Sequence, residues 1–282
     1  MAAAAYTFRR PSELLRILRR DGPEAIDTIA AELEPGQRDV AVDLGDALIR
    51  RGFEALIWGD AGYPTQLNDL KSPPPILFWV GAIELLSKDG VGMCGSRRAS
   101  DAGLSAARAC GSAVASSGLV VISGNAKGVD TEAHQAALEA GGGTILVLAE
   151  GPLQYRQKRI TADVQNEDNV LILSQFPPQM SWNVGNAMTR NGVIAALGQA
   201  LVVIEAGSQG GTLDAGLQGL AIGRPVIALQ FESTITPAGN AILHGKGAVP
   251  VGRPSDLKAA IDLIARDGPA QQKLEFGAVV EL

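Results

Sequence analysis

Val120-Val121-Ile122-Ser123-Gly124-Asn125-Ala126-Lys127-Gly128-Val129-Asp130 is the stretch that decides the fold. Its apolar run fits a buried strand, the run stops at a Ser/Gly turn that carries a lysine, and helix-forming text follows over residues 131–140. The same order of parts comes just before it, in Val91-Gly92-Met93-Cys94-Gly95-Ser96-Arg97-Arg98-Ala99-Ser100, with helical spacing over 102–115. It comes again after Glu205, in Ala206-Gly207-Ser208-Gln209-Gly210-Gly211-Thr212-Leu213-Asp214-Ala215-Gly216. Further apolar runs lie at 144–148, 170–173, 200–204 and 225–229, separated by Ala-rich segments. Near-continuous apolar strands with helical crossovers predict an α/β fold, a doubly wound and mostly parallel sheet covered on both faces.

Ligands of such open sheets bind beyond the carboxyl ends of the strands, where these glycine-rich turns fall. Glycines let the main chain approach a phosphate, the N–H groups of the new helix point at it, and a nearby cation supplies a full charge. The candidate phosphate-binding residues are therefore Gly95, Ser96 and Arg97 in the first turn and Ser123, Gly124, Lys127 and Gly128 in the second. Gly210, Gly211 and Thr212 come from the third turn, and Arg190 and Asn191 from the helical segment 188–197. Glycine turns also close ordinary βα units, and helix capping alone would account for Thr212. Glu205 suits either a ligand hydroxyl or the main-chain N–H groups of a loop. Asp130 and His134, four apart, suit a metal pair or, more simply, a helix-stabilising role. Of the tryptophans, Trp58 and Trp79 read as packing residues and Trp182, in polar surroundings, as a side chain able to stack on a base.

Composition narrows the function classes. The chain of 282 residues carries 24 Lys+Arg against 30 Asp+Glu, a net charge of −6. That argues against indiscriminate adhesion to duplex DNA, which needs a broad basic surface. It leaves room for a local cationic groove, because Arg97, Arg98, Lys127, the run 156–159, Arg190, Arg224 and Lys246 fall in segments that read as loops. Two histidines and two cysteines leave little for a Ser-His triad, a histidine-rich metal centre or a thiolate zinc site, so no metal or cofactor is expected. Cys94 and Cys110 read as small buried residues in a reducing compartment. No apolar stretch approaches the roughly 18 to 20 residues of a spanning helix, and the first residues lack a signal-peptide pattern. A cytoplasmic protein with no membrane partner is expected.

Residues 1–52 read as a small helical N-terminal unit, punctuated by Pro23 and Pro35-Gly36. Ala55 to Trp58 reads as a short strand, and Pro73-Pro74-Pro75 followed by Ile76 to Val80 as an extended connector, since three prolines forbid a helix.

Taken together, the ordered motifs resemble the DNA-processing protein A (DprA/Smf) family. They comprise Gly59-Asp60-Ala61-Gly62-Tyr63-Pro64, Pro74-Pro75-Ile76-Leu77-Phe78, the Gly-Ser-Arg turn at 95–97, Ser123-Gly124 through Asp130 with Ala133-His134, and Arg190-Asn191. Glu205, Gly210-Gly211-Thr212-Leu213, Gly223-Arg224, Gly239-Asn240-Ala241-Ile242-Leu243 and Gly247-Ala248 complete the series. The resemblance implies an extended Rossmann-like core over 53–266 and a C-terminal tail over 267–282. It implies a non-enzymatic protein that binds single-stranded DNA, delivers it to a RecA-type recombinase in natural transformation, and forms a homodimer through the end of the core, about residues 223–252. Arg97 and Lys127 stand where the family contacts DNA phosphates. The chain departs from the family at Tyr155-Arg156 for Tyr-Pro, at Ala187-Met188-Thr189-Arg190-Asn191-Gly192 for Phe-Pro-x-Arg-Asn-Arg, at Ser174-Gln175 for Ser-Glu, and at Gln230-Phe231 for Pro-Gly. It ends at Leu282, short of the winged-helix domain of many members. The alternative is a nucleotide sensor or a phosphoribohydrolase of the same superfamily, for which Asp214 is the nearest acidic residue after Thr212.

Overall fold

A computed structural model describes residues 1–156, 168–231 and 236–275, with 267–275 as backbone only. Of the cationic run 156–159 only Arg156 falls within them, and positions 276–282 of the expected tail lie outside.

The chain opens with four helices, α1 (Ala2–Phe8), α2 (Pro11–Asp21), α3 (Ala25–Ala31) and α4 (Pro35–Arg50). Pro11 and Pro35 sit at helix starts, where a missing N–H costs nothing. Strands β1 (Glu54–Ile57) and β2 (Ile76–Gly81) follow, then β3 (Gly90–Cys94), α5 (Asp101–Ser116), β4 (Val120–Gly124), α6 (Val129–Glu139), β5 (Thr144–Leu148) and β6 (Val170–Ser174). The second half runs α7 (Val184–Leu197), β7 (Ala200–Val203), α8 (Gly211–Ala221), β8 (Val226–Leu229), α9 (Ala238–His244), β9 (Val249–Val251) and α10 (Pro254–Glu275).

All described strands join one sheet in the order β1-β2-β6-β5-β4-β3-β7-β8-β9. From β6 to β9 every pairing is parallel, while β1–β2 and β2–β6 are antiparallel. The expected connector at 76–80 is therefore a strand. The prolines before it exclude a helix and leave Ile76 to Trp79 free to pair with β1, and Phe78 to Gly81 with Ser174 through Leu171.

Strand parity divides the core. On one face Val91, Met93 and Val121 meet α5 and the Ile261 side of α10. On the other, Ile122, Ile145 and Leu201 meet Ile194 of α7 and Leu243 of α9. Helices α5 and α6 approach closely because position 111 is glycine: a Cβ there would stand 2.4 Å from Ala133 O. The N-terminal helices do not keep a separate core. Tyr6, Leu14, Leu18, Ile26 and Leu48 share a cluster with Ile76, Phe78, Leu146 and Ile172. Tyr6 also donates to Gln175 O at 2.5 Å and stacks on Phe78. Arg51 donates to Pro152 O and Leu153 O at 3.0 and 2.8 Å, tying the end of α4 to the loop after β5.

The run at 225–229 is likewise core, since β8 lies between β7 and β9 with all four residues buried. Phe231 is half-buried against the cluster of α5 and α10. No helix among the described residues is long and apolar enough to cross a membrane.

Candidate anion-binding groove

Strand order reverses at β3, which has β4 on one side and β7 on the other. In doubly wound sheets such a switch point opens a crevice, because the loops leaving the two strands diverge to opposite sides. Here those loops are 95–100, after β3, and 204–210, after β7, and a cavity of about 460 Å³ lies between them. Ser96, Arg97, Glu205, Gly211 and Thr212 line it, with Met188 of α7 opposite. A second cavity of about 510 Å³ adjoins it, sharing Arg97, Arg98 and Trp182 and adding Asn125, Lys127 and Glu150. A third, of about 370 Å³, continues past Trp182 to Arg156. The result is a groove along the carboxyl edge of the sheet, with exposed Arg97, Arg98 and Lys127 on its walls.

The helix ends around this groove differ. At α5, Ser100 accepts from Gly103 N at 3.0 Å as an N-cap, and its own N–H and hydroxyl donate to the Glu205 carboxylate at 2.8 and 2.5 Å. Glu205 thus holds a main-chain N–H of the first loop, one of the two roles open to it, while also lining the first cavity. At α7, Asn183 caps through Asn186 N at 2.8 Å. At α8 no side chain caps: Gly210 holds the N-cap position at φ +108°, and the exposed Gly210 and Gly211 leave the helix end open to the first cavity. At α6, Gly128 takes φ +79°, and a Cβ there would come within 2.6 Å of Ser96 O. Glycine at 128 lets the first and second loops lie against each other, which puts Lys127 and Arg97 on one cavity.

Two predicted residues stand apart from the rest. Ser123 follows the parity of Val121, so its side chain points into the core, fully buried, and donates to Met93 O at 2.7 Å; its hydroxyl is not in the groove. Arg190 is only 6% exposed. It forms floor rather than wall, donating from Nη1 to Val147 O at 2.9 Å, and a Cβ at Gly124 would stand 1.7 Å from that nitrogen. Burial pulls its guanidinium below the ordinary arginine range, and neighbouring Arg97 adds to this, while Asp130, Glu150 and Cys94 favour the charge. Its Nε has no hydrogen-bond partner among the described residues. Asn191 donates to Gly211 O at 2.9 Å, which ties α7 to the start of α8.

Asp130 accepts from Ala126 N at 3.2 Å, and His134 bridges Thr144 Oγ1 and Gly124 O at 2.6 and 2.8 Å, so both brace the second loop. No cluster of potential metal ligands occurs among the described residues. Burial raises the Cys94 thiol well above its usual range and pushes Cys110 up to about 12, which leaves both protonated. Sequence reasoning left Arg98, Asn125 and Glu150 out of the site. Arg98 was legible as the neighbour of Arg97; Asn125 and Glu150 carried no signal before the loops were placed.

A doubly wound sheet whose switch-point loops present cations and an open helix end defines a Rossmann-like protein with a site suited to phosphorylated ligands. Within that class, the chain belongs to the family described as DNA recombination-mediator protein A, which matches residues 54–262. It is 36% identical over 165 residues to protein Smf of Synechocystis sp., covering 55% of this chain and 40% of that one. It is 33% identical over 173 residues to DNA processing protein DprA of Streptococcus pneumoniae, covering 60% of each. The chain thus spans about half the length of these curated relatives. The X-ray structure of S. pneumoniae DprA superposes with a TM-score of 0.72 at 27% identity, over 92% of this chain and 95% of that one. The Helicobacter pylori DNA processing protein A structure, described for its single-stranded DNA binding mode, superposes with a TM-score of 0.64 at 23% identity, over 74% and 95%.

Proposed function

We propose that the protein is a DprA-type binder of single-stranded DNA, held by its phosphates along the carboxyl-edge groove and acting in DNA processing. The observation that carries this reading is the position of Arg97, Arg98 and Lys127 around adjoining cavities that continue to the open N-terminus of α8. A row of anions fits such a groove better than one phosphate does, because the cavities run on past Trp182. A net charge of −6 confines favourable contact to this groove and disfavours the broad face of a duplex. The H. pylori fold relative, described as a single-stranded DNA binder, agrees with the choice.

Binding without catalysis is part of the proposal. Asp214, the acid a phosphoribohydrolase reading needs, is engaged by Gln218 Nε2 one turn along its own helix. Delivery of the strand to a RecA-type recombinase, a role in natural transformation, a cytoplasmic location and self-association are proposed with it. For self-association the exposed large apolar side chains near the 223–252 edge, among the described residues, are Leu217 and Ile242, on the neighbouring helices α8 and α9. Sedimentation at tens of micromolar tests the dimer, and a monomer would end that part.

The main test is a binding comparison of labelled dT oligomer, duplex of the same length, and mononucleotides. The reading requires affinity that rises with oligomer length and falls steeply with salt. Tight mononucleotide binding with no gain from length would instead select a nucleotide sensor. Indifference to a long dT oligomer at low salt would end the DNA reading.

A further inference from the structure

Trp182 is 46% exposed, although indole is among the side chains most costly to leave in water. It belongs to none of the three apolar clusters among the described residues, whereas Trp58 and Trp79 pack against the core. It stands at the junction of all three cavities of the groove. Its mount is fixed on both sides. Ser181 O accepts from Asn186 Nδ2 at 3.2 Å, and Asn183 caps α7. Upstream, Met180 O accepts from Gly151 N at 2.8 Å, and Leu153 N donates to Pro178 O at 2.9 Å. Exposed Met180, Val184 and Met188 extend the apolar surface around it. The Arg97 guanidinium stands 4.9 Å from the ring centroid. An exposed indole, rigidly held between two cationic cavities and touching the arginine assigned to a phosphate, has the parts that recognise one whole nucleotide.

We propose that Trp182 is a nucleobase platform: one base of the bound strand stacks on the indole while Arg97 takes the adjoining phosphate. This rests on the single-strand reading above and adds what that reading lacks, a contact to the bases. Stacking uses the π-face common to all bases, so the platform adds affinity without sequence choice. Arg97 also holds the ring by its cation–π contact, which keeps the platform oriented.

The test uses a fluorescein-labelled dT oligomer and an abasic deoxyribose-phosphate oligomer of the same length, with wild type, Trp182→Ala and Trp182→Phe. Both oligomers offer the same phosphates and differ only in bases. Wild type is expected to bind dT roughly 5- to 150-fold tighter than the abasic oligomer. Trp182→Ala should lose that preference and bind the two oligomers alike, with an unchanged melting temperature, and Trp182→Phe should keep most of the preference. Intrinsic fluorescence of wild type should be quenched by dT and not by the abasic strand. Wild type that binds both oligomers equally, or Trp182→Ala that still prefers dT, overturns the platform and leaves phosphate binding standing. Wild type that binds neither at low salt overturns the single-strand reading and the platform with it.

Discussion

The helix starts at α5 and α8 come from similar glycine- and serine-rich text, yet one is closed by Glu205, itself a lining residue of the first cavity, and the other opens onto that cavity. At α5 the N-cap serine and the Glu205 carboxylate occupy the space an anion would need. At α8 Gly210, Gly211 and Thr212 present main-chain N–H groups with no side-chain cap. A glycine-rich strand-to-helix turn is therefore not in itself a phosphate site. What decides is whether the helix end is already occupied by the protein's own carboxylate.

The strongest way to break this comparison is through the cations of the two adjoining cavities. In the double variant Arg97→Ala, Lys127→Ala, oligonucleotide affinity should collapse at moderate salt, and the log–log salt slope should flatten by about 0.7 for each phosphate that is no longer neutralised. The melting temperature should stay put, because both side chains are exposed. A double variant that binds with unchanged salt dependence would remove the groove from the ligand.

Glu205→Ala tests the closed end. Removing the carboxylate leaves the exposed Ser100 N–H and hydroxyl to water, and chemical denaturation should show a loss of about 0.5 to 1.5 kcal/mol. Ser100→Ala should cost about 1 kcal/mol, the usual worth of an N-cap. If either variant leaves stability alone and abolishes binding, the α5 end is a ligand site after all.

Gly211→Asp gives the smallest effect and the sharpest sign. A side chain at 211 meets only Asn191 Nδ2, 3.7 Å from its Cβ, so it fits without displacement. A carboxylate in the first turn of the open helix should raise stability by about 0.3 to 1 kcal/mol while weakening oligonucleotide binding. Equal signs for the two effects would mean that α8 is not an anion site.

Much of the fold was legible in the amino-acid sequence. Every strand from β3 to β8 announced itself as an apolar run, because strands covered on both faces have no polar side to confuse the pattern. The antiparallel flank was harder: β2 follows three prolines and reads as connector until its partner β6, almost a hundred residues on, is placed beside it. The loops were legible as loops, but not the direction of each side chain. Ser123 looks like a turn residue, yet it lies inside β4, a strand buried at every position. Arg190 looks like a surface cation, yet it lies beneath Gly124, because it opens the half of α7, Arg190 to Leu197, in which every residue is buried. Trp182 could be singled out by its polar neighbours, but its contact with Arg97 joins the segments after β3 and β6, three strands apart in the sheet, and leaves no local trace.

The bond from Ser100 to Glu205 spans 105 residues of chain. Closing so long a loop is a late and entropically costly event, and a growing chain cannot attempt it until β7 has been made. The loops after β3 and β4, with Arg97 and Lys127, are synthesised far earlier than the second wall of the groove. During synthesis the cations exist without the α8 end or the Trp182 mount that would organise a strand around them. On the proposed reading, capture of a strand therefore waits for the second wall of the groove, and the chain leaving the ribosome carries the cations of the first two loops before it carries the helix end that completes the site.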